Sequence, residues 1–167
     1  RPAGEGPAPT VDQAAALEIL GRSLDEGRHA TFLLEGVTGS GKTEVYLRAA
    51  AEALRLGRQV LYLVPEIALA TQAIALLRAR FGRNVAVLHS ELPASERLQT
   101  FLRIRKGEIP VVLGARSAVF APLVDLGLII MDEEHEGSFK QESAPRYHAK
   151  RLAQFLANRH RCPRFPA

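Results

Sequence analysis

The chain has 167 residues, of which 47% are hydrophobic, and its formal net charge at pH 7 is +4. This length fits one ordinary domain, and the hydrophobic share supports a buried core and argues against a disordered chain. No apolar run approaches the roughly 20 residues that a membrane-spanning helix needs. A single cysteine, Cys162, excludes an internal disulfide and a zinc cluster built from this chain alone, and it favours an intracellular setting.

The first predicted element is a helix that begins after residues 1–9, a stretch rich in proline and glycine that we interpret as a linker or a cut end. Thr10 is suited to cap this helix, apolar residues follow at helical spacing, and Gly27 is the expected stop. The apolar run over residues 30–35 then predicts a buried strand that leads into a glycine-rich turn.

Apolar strands and amphipathic helices alternate along the rest of the chain. We predict helices over residues 42–56, 66–81 and 93–106, and strands over residues 59–64, 84–88, 109–114 and 126–132. Strands that are apolar throughout and alternate with helices are typical of a parallel sheet covered on both faces. In such folds ligands bind at the carboxyl ends of the strands.

A phosphate-binding motif lies between the first predicted strand and the next helix. The residues Gly36-Val37-Thr38-Gly39-Ser40-Gly41-Lys42-Thr43 match the P-loop pattern G-x-x-x-x-G-K-[ST]. Glycines let backbone N–H groups turn toward the phosphates, and the positive end of the helix dipole attracts them further. The predicted contacts to ATP are Gly36, Thr38, Gly39, Ser40, Gly41, Lys42 and Thr43. The predicted fold class is therefore α/β, a P-loop NTPase (RecA-like) three-layer sandwich with a mainly parallel sheet.

Two of these residues have more specific expected roles. Lys42 is expected to reach the β- and γ-phosphates, and the Thr43 hydroxyl is expected to bind Mg²⁺. ATP and Mg²⁺ are thus the predicted cofactors.

An acidic turn, Asp132-Glu133-Glu134-His135, follows the last predicted strand. Because Asp132 ends the apolar run, its carboxylate is expected at the carboxyl edge of the sheet, where it can hold Mg²⁺. Glu133 is placed to polarise the attacking water. The predicted catalytic residues are Lys42, Asp132 and Glu133. An acidic turn by itself is also typical of an exposed loop, and the P-loop is what favours catalysis.

The acidic turn resembles the D-E-x-H box of the DEAH-like superfamily 2 helicases. Further segments extend this resemblance, namely residues 10–13, 63–69, 88–92, 96–97, 114–122, 138–141 and 145–149. Together they resemble the bacterial replication-restart helicase family PriA (primosomal protein N′), in its first helicase lobe over residues 10–162. In that family an apolar strand and a Ser-Ala-Thr block follow Cys162. Residues 163–167 depart from this pattern, and we interpret them as a truncated tail.

The resemblance implies an ATP-dependent 3′-to-5′ DNA helicase that acts in replication restart and primosome assembly at stalled forks. The implied partners are single-stranded and forked DNA, and, through the parent protein, other primosome proteins and single-strand-binding proteins. The implied location is the bacterial cytoplasm, associated with the nucleoid and with no membrane. Zinc is expected in the full-length family but is not expected to bind this chain. Because the second lobe would supply an arginine finger, we expect weak nucleotide binding and little hydrolysis by this chain alone.

The resemblance also implies roles for single residues. Gln13 would contact adenine, and His135 would couple the ATP state to DNA binding. The residues implied to lie along the single-strand path or in a coupling loop are Pro65, Glu66, Arg116, Ser117, Phe139, Lys140, Tyr147 and His148. Plainer alternatives remain: an exposed helix residue at position 13, a helix start at 65–66, a strand-end turn at 116–117, and small-core aromatics at 139 and 147.

Three other functions remain open from the sequence. The first is another P-loop motor, such as a DNA translocase without strand separation or a protein-remodelling ATPase, against which the segments around Arg116 and Tyr147 argue. The second is a nucleotide-gated DNA-binding or scaffold module, which the intact set of hydrolysis residues disfavours. The third is a small-molecule kinase, for which we find no arginine-rich lid over an acceptor.

Overall fold

The computed structural model of the protein describes residues 8–27, 41–64, 72–131, 157–159 and 164–166. The helices in these ranges are α1 (Val11–Asp25), α2 (Lys42–Arg55), α3 (Gln72–Phe81) and α4 (Ala94–Arg105). The strands are β1 (Gln59–Leu63), β2 (Val85–Leu88), β3 (Val111–Gly114), β4 (Leu126–Met131) and β5 (Arg164–Pro166). Short 3₁₀ helices precede β2 at Gly82–Asn84 and follow β3 at Arg116–Phe120. Among the helices that the structure describes, none combines the length and apolar character needed to span a membrane.

The described strands form one parallel sheet in the order β2-β3-β1-β4-β5. Their carboxyl ends therefore meet at one edge of the sheet. Gly114, the last residue of β3, pairs with both Leu63 and Leu88, and Met131 at the end of β4 pairs with Leu63. This carboxyl edge is where folds of this kind place their ligands.

Side chains of the central strands alternate between two apolar layers, as the pleat of a β-strand requires. The layer beneath α1, α2 and α3 contains Val60, Tyr62, Val111, Leu113, Leu128 and Ile130. The opposite layer contains Leu61, Leu63, Val112, Ile129 and Met131, together with Ile104 of α4 and Ala118 of the second 3₁₀ helix. The sheet is thus covered on both faces, which confirms the predicted three-layer α/β sandwich.

The ends of the helices follow the capping and glycine signals in the sequence. Thr10 forms a capping box with Gln13: the Thr10 Oγ1 accepts from the Gln13 N–H at 3.3 Å, and the Gln13 Oε1 accepts from the Thr10 N–H at 3.0 Å. Gly27, Gly57 and Gly107 follow α1, α2 and α4 with φ values of 58°, 72° and 75°. Glycine reaches this left-handed region without the penalty that a Cβ brings, so it ends a helix readily.

The predicted elements that fall in the described ranges are confirmed, with boundaries that agree to within about two residues. The strand predicted over residues 30–35 and the first residues of the helix predicted over 66–81 lie outside the described ranges. The last described residues form an additional strand that the sequence analysis did not predict. Arg164–Pro166, interpreted as part of a tail, form β5 and pair in parallel with Ile129, Ile130 and Met131. Backbone pairing does not require apolar side chains, and the apolar pattern used for prediction therefore missed this strand.

Two glycines of the sheet lie so close to neighbouring residues that a side chain would not fit without a shift. A Cβ at Gly114 would lie 2.7 Å from the carbonyl oxygen of Leu88 in the neighbouring strand. Gly127 is the extra residue where the register of β4 shifts against β1, and a Cβ there would lie 2.8 Å from the Cγ of Arg58. A larger residue at position 114 would press on the backbone of the neighbouring strand, whereas one at position 127 would require Arg58 to move.

Candidate nucleotide-binding site

Helix α2 begins at the carboxyl edge of the sheet. Its last residue is Arg55, and Gly57 turns the chain into β1, so the C-terminal end of α2 lies beside the amino end of β1. Its buried face, which includes Tyr46 and Ala50, packs in the same apolar layer as Tyr62 of β1. A helix of 14 residues that runs back along β1 must begin at the opposite edge, where the strands end.

The first turn of α2 contains the described part of the P-loop, Gly41-Lys42-Thr43. Gly41 is the N-cap with a φ of 83°, and it provides no side-chain hydrogen bond to the helix. Its carbonyl oxygen accepts from the N–H groups of Glu44 at 3.1 Å and Val45 at 3.4 Å. The first N–H groups of a helix have no partner within the helix, and a glycine cap leaves them accessible to an anion. Lys42 and Thr43, both half-buried here, therefore fit the phosphates and metal of a bound nucleotide.

Gln13 connects the beginning of α1 to this turn. Its Oε1 accepts from the Thr10 N–H at 3.0 Å, and its Nε2 donates to the Gly41 carbonyl oxygen at 3.5 Å. A Cβ at position 41 would lie 2.5 Å from this Nε2, so the contact depends on glycine. Gln13 is half-buried, and the alternative of a merely exposed helix residue does not describe it. The residue predicted to contact adenine thus lies beside the residues predicted to contact phosphate.

A cluster of three charged side chains includes a residue of the first turn of α2. Glu44 follows Thr43 directly, and its Oε1 lies 2.8 Å from the Nε of Arg48 and 3.7 Å from the Nη2 of Arg80. The side chains of Glu44, Arg48 and Arg80 are 17%, 25% and 16% exposed. We call these three residues the Glu44 cluster. Sequence reasoning missed it, although the i,i+4 spacing of Glu44 and Arg48 is a readable signal.

The turn after β2 lies at the same edge and is held by α4. The Leu92 N–H donates to the His89 carbonyl oxygen at 3.3 Å. The Nη2 of Arg97 donates to the carbonyl oxygens of Ser90 at 3.0 Å and Leu92 at 3.2 Å. These residues belong to the segments that resemble the helicases, and the resemblance implies no role for them. The structure shows that Arg97 fixes the shape of the turn.

Arg116 and Ser117 begin the 3₁₀ helix that follows β3. The Ala118 N–H donates to the Ala115 carbonyl oxygen at 2.9 Å, and the side chain of Ala118 is buried beneath the sheet edge. Ser117 is exposed. The pair therefore lies in a strand-end turn at the carboxyl edge, and its contact with DNA stays a prediction.

The other predicted site residues lie outside the described ranges. They are Gly36, Thr38, Gly39, Ser40, Pro65, Glu66, Asp132, Glu133, His135, Phe139, Lys140, Tyr147 and His148. Their roles stay predictions. Along the chain, Asp132 comes directly after Met131, the last residue of β4.

The DEAD/DEAH box helicase family matches residues 10–162. The chain belongs to this family. A P-loop at the start of a helix beside a parallel sheet is the arrangement that an ATP-driven helicase requires.

Individual relatives confirm the predicted resemblance to the replication-restart helicases. The replication restart protein PriA of Bacillus subtilis (strain 168) is 49% identical over 158 residues, which is 94% of this chain and 20% of that protein. PriA of Treponema pallidum (strain Nichols) is 53% identical over 133 residues, 80% of this chain and 20% of that protein. PriA of Synechocystis is 51% identical over 139 residues, 83% of this chain and 17% of that protein. The chain therefore spans about one fifth of the length of these relatives.

A solved structure of RecG bound to a three-way DNA junction is similar to this chain in fold. The TM-score is 0.67 at 22% sequence identity, and the match covers 96% of this chain and 21% of that chain. At this identity the similarity concerns the fold alone. It confirms the predicted P-loop (RecA-like) α/β fold.

Proposed function

We propose that this chain is the ATP-binding first motor lobe of an ATP-dependent 3′-to-5′ DNA helicase that acts in replication restart and primosome assembly at stalled forks. The observation that carries the proposal is the 49% identity to the PriA protein of Bacillus subtilis over 94% of this chain. The chain spans a fifth of that relative. Unwinding, its DNA substrate and its protein partners are therefore properties of the parent protein.

The phosphates of ATP bind at the first turn of α2 in this proposal. Lys42 contacts the β- and γ-phosphates, and Thr43 and Asp132 would hold Mg²⁺, which would supply positive charge to neutralise the phosphates. Glu133 orients and deprotonates the attacking water. The glycine cap at Gly41 and the half-buried positions of Lys42 and Thr43 support this arrangement.

The adenine end of ATP binds at Gln13. The capping box with Thr10 fixes the Gln13 side chain before nucleotide arrives, so less conformational entropy is lost on binding. The hydrogen bond from Gln13 to Gly41 supports a site in which adenine and phosphate are recognised by adjoining residues.

Single-stranded DNA passes along the carboxyl edge of the sheet. Arg116 and Ser117 contact it from the turn after β3, and Pro65 and Glu66 contact it from the segment after β1. The coupling residues between ATP and DNA are His135, Phe139, Lys140, Tyr147 and His148. The exposed position of Ser117 at this edge supports the path. The replication restart proteins to which this chain is similar support forked DNA as the substrate of the parent protein.

The parent protein supplies the remaining parts of the helicase. A second lobe contributes an arginine finger, which is worth about 10³ to 10⁵ in rate in related enzymes, so this chain alone binds nucleotide weakly and hydrolyses little. Zinc binds to other parts of the parent protein and not to this chain. The parent works in the bacterial cytoplasm at the nucleoid, with other primosome proteins and single-strand-binding proteins as partners.

Strand separation by the parent protein tests this function. We expect the wild-type parent to unwind a forked DNA duplex in the presence of ATP and Mg²⁺, and the Lys42→Ala variant to unwind none. Lys106→Ala, which removes an exposed lysine at the end of α4, is the matched control and should retain full activity. ATP-dependent movement along DNA without strand separation would contradict the helicase proposal and favour a translocase.

A further inference from the structure

The Glu44 cluster places a carboxylate in the helix turn at which a triphosphate is expected to bind. Glu44 lies in the first turn of α2, one residue after Thr43. Its negative charge is favourable for the free helix, because it faces the positive end of the helix dipole. It is unfavourable for a bound nucleotide, because the phosphates carry several negative charges of their own. Neutralisation of the Glu44 charge therefore favours nucleotide binding at this turn.

Two guanidinium groups perform this neutralisation, and they come from different elements. Arg48 lies one turn further along α2, at the spacing that pairs side chains even in an isolated helix. Arg80 lies in the last turn of α3 and reaches Glu44 only in the folded protein. The three side chains carry a net charge of +1. Since they are three-quarters or more buried, water and salt screen them less than they screen an exposed pair.

We propose that Arg80 is a positioning residue for nucleotide binding. Arg80 acts through Glu44: together with Arg48 it neutralises this carboxylate, so that the charge of Glu44 does not repel phosphates bound at Lys42 and Thr43. This inference rests on the proposed binding of ATP at the same turn. It adds a residue from α3, outside the P-loop and outside every segment that the sequence had marked for nucleotide contact.

The affinity of the purified chain for a fluorescent ATP analogue with Mg²⁺ tests the role of Arg80. We expect Arg80→Ala to weaken this affinity by about 5- to 10-fold, the effect of losing one partly buried charge pair. The loss should be larger for a triphosphate than for a diphosphate, since the repulsion from Glu44 grows with ligand charge. Arg80→Lys, which keeps the positive charge, should recover most of the affinity.

A double variant shows whether Arg80 acts by neutralising the charge of Glu44 or only by packing against its neighbours. Glu44→Gln removes the negative charge but keeps an oxygen that can accept from Arg48. We therefore expect Glu44→Gln in the Arg80→Ala background to restore affinity to within about twofold of the wild type. A variant that had lost only packing would gain nothing from this second change. Glu44→Gln alone should bind the triphosphate at least as well as the wild type.

A second ion pair on α2 provides the matched control. Arg55 lies at the far end of the helix, with its Nη2 2.6 Å from the Oε1 of Glu52, and its guanidinium lowers the pKa of the Glu52 carboxyl. Arg55→Ala therefore removes a paired arginine from the same helix at a distance from the phosphates. We expect it to leave nucleotide affinity unchanged. Urea denaturation of each variant checks that the protein is folded at the temperature of the titration.

Several outcomes would overturn the role of Arg80. They are an Arg80→Ala affinity within twofold of the wild type, an absence of rescue by Glu44→Gln, or an equal loss in Arg55→Ala. If Arg80→Ala does not fold, the Glu44→Gln variant alone tests the inference. Weaker triphosphate binding by Glu44→Gln than by the wild type would then contradict it. A wild-type chain that binds no nucleotide would contradict the proposed function as well. Nucleotide binding that Arg80→Ala leaves intact would contradict only the role of Arg80.

Discussion

Gly41, in the described part of the phosphate-binding turn, tolerates a larger residue poorly. Its φ of 83° lies in the left-handed region, and a Cβ there would lie 2.5 Å from the Nε2 of Gln13. We expect Gly41→Ala to lower the free energy of unfolding by roughly 1–2 kcal/mol, the usual cost of a left-handed residue with a Cβ. It should also weaken binding of the ATP analogue, because Gln13 must move away from the turn.

Gly57 offers a matched control for this prediction. Its φ is 72°, and an added Cβ would have no neighbouring atom within 4 Å. Gly57→Ala should therefore show a similar backbone cost in urea denaturation and no loss of nucleotide affinity. Equal losses of affinity in the two variants would show that the effect comes from general destabilisation and would contradict a specific role for Gly41.

At the scale of the elements, one buried amide at the amino edge of the sheet connects β1 with α4 and with the segments that precede β3 and β4. Gln59 begins β1 and is 4% exposed. Its Nε2 donates to the carbonyl oxygens of Ile104 at 2.9 Å and Ile109 at 3.2 Å, and its Oε1 accepts from the N–H groups of Val124 at 2.9 Å and Asp125 at 3.1 Å. This amide therefore connects β1 to the end of α4 and to the segment before β4.

Gln59→Leu should destabilise the protein without weakening nucleotide binding. The variant leaves four backbone groups without this partner, and we expect the free energy of unfolding to fall by about 3 kcal/mol, measured by urea denaturation. Nucleotide affinity of the folded variant should be retained, since Gln59 lies at the edge opposite the P-loop. Gln99→Leu, at an exposed position on α4, is the control and should change stability by less than about 0.5 kcal/mol. A stability loss no larger than that of the control would contradict this account of Gln59.

The sequence alone was sufficient to predict the elements that depend on local signals. The apolar runs predicted β1 to β4, because a strand buried on both faces must be apolar throughout. Thr10, Gly27 and Gly57 predicted helix ends, because capping and left-handed backbone depend on the residue itself. The P-loop pattern predicted the beginning of α2 for the same reason.

The features that the sequence did not predict depend on residues far apart along the chain. The Gln59 amide contacts residues 45 to 66 positions away, and no periodic pattern encodes such a contact. Arg80 reaches Glu44 only because α3 packs beside α2. Strand β5 is formed by backbone pairing with β4, and its sequence lacks the apolar run that revealed the other strands.

At the scale of the whole molecule, the described chain is one lobe of a two-lobe motor in our account. The sheet gathers the P-loop helix, the turn after β2 and the turn after β3 at a single edge, and in the proposed function ATP and DNA bind to adjoining parts of this edge. A lobe of this kind can bind nucleotide through its own residues, whereas rapid hydrolysis requires the arginine finger of its partner lobe. This chain should therefore bind nucleotide without hydrolysing it rapidly.

The most direct test is a titration of the purified chain with a fluorescent ATP analogue and Mg²⁺, in parallel with Lys42→Ala and with phosphate release followed in the presence of single-stranded DNA. The account predicts saturable nucleotide binding that Lys42→Ala abolishes, together with negligible phosphate release. Equal binding by the wild type and Lys42→Ala would contradict the phosphate-binding role of the P-loop. Rapid hydrolysis by the chain without DNA would contradict the two-lobe motor and indicate a self-sufficient P-loop ATPase.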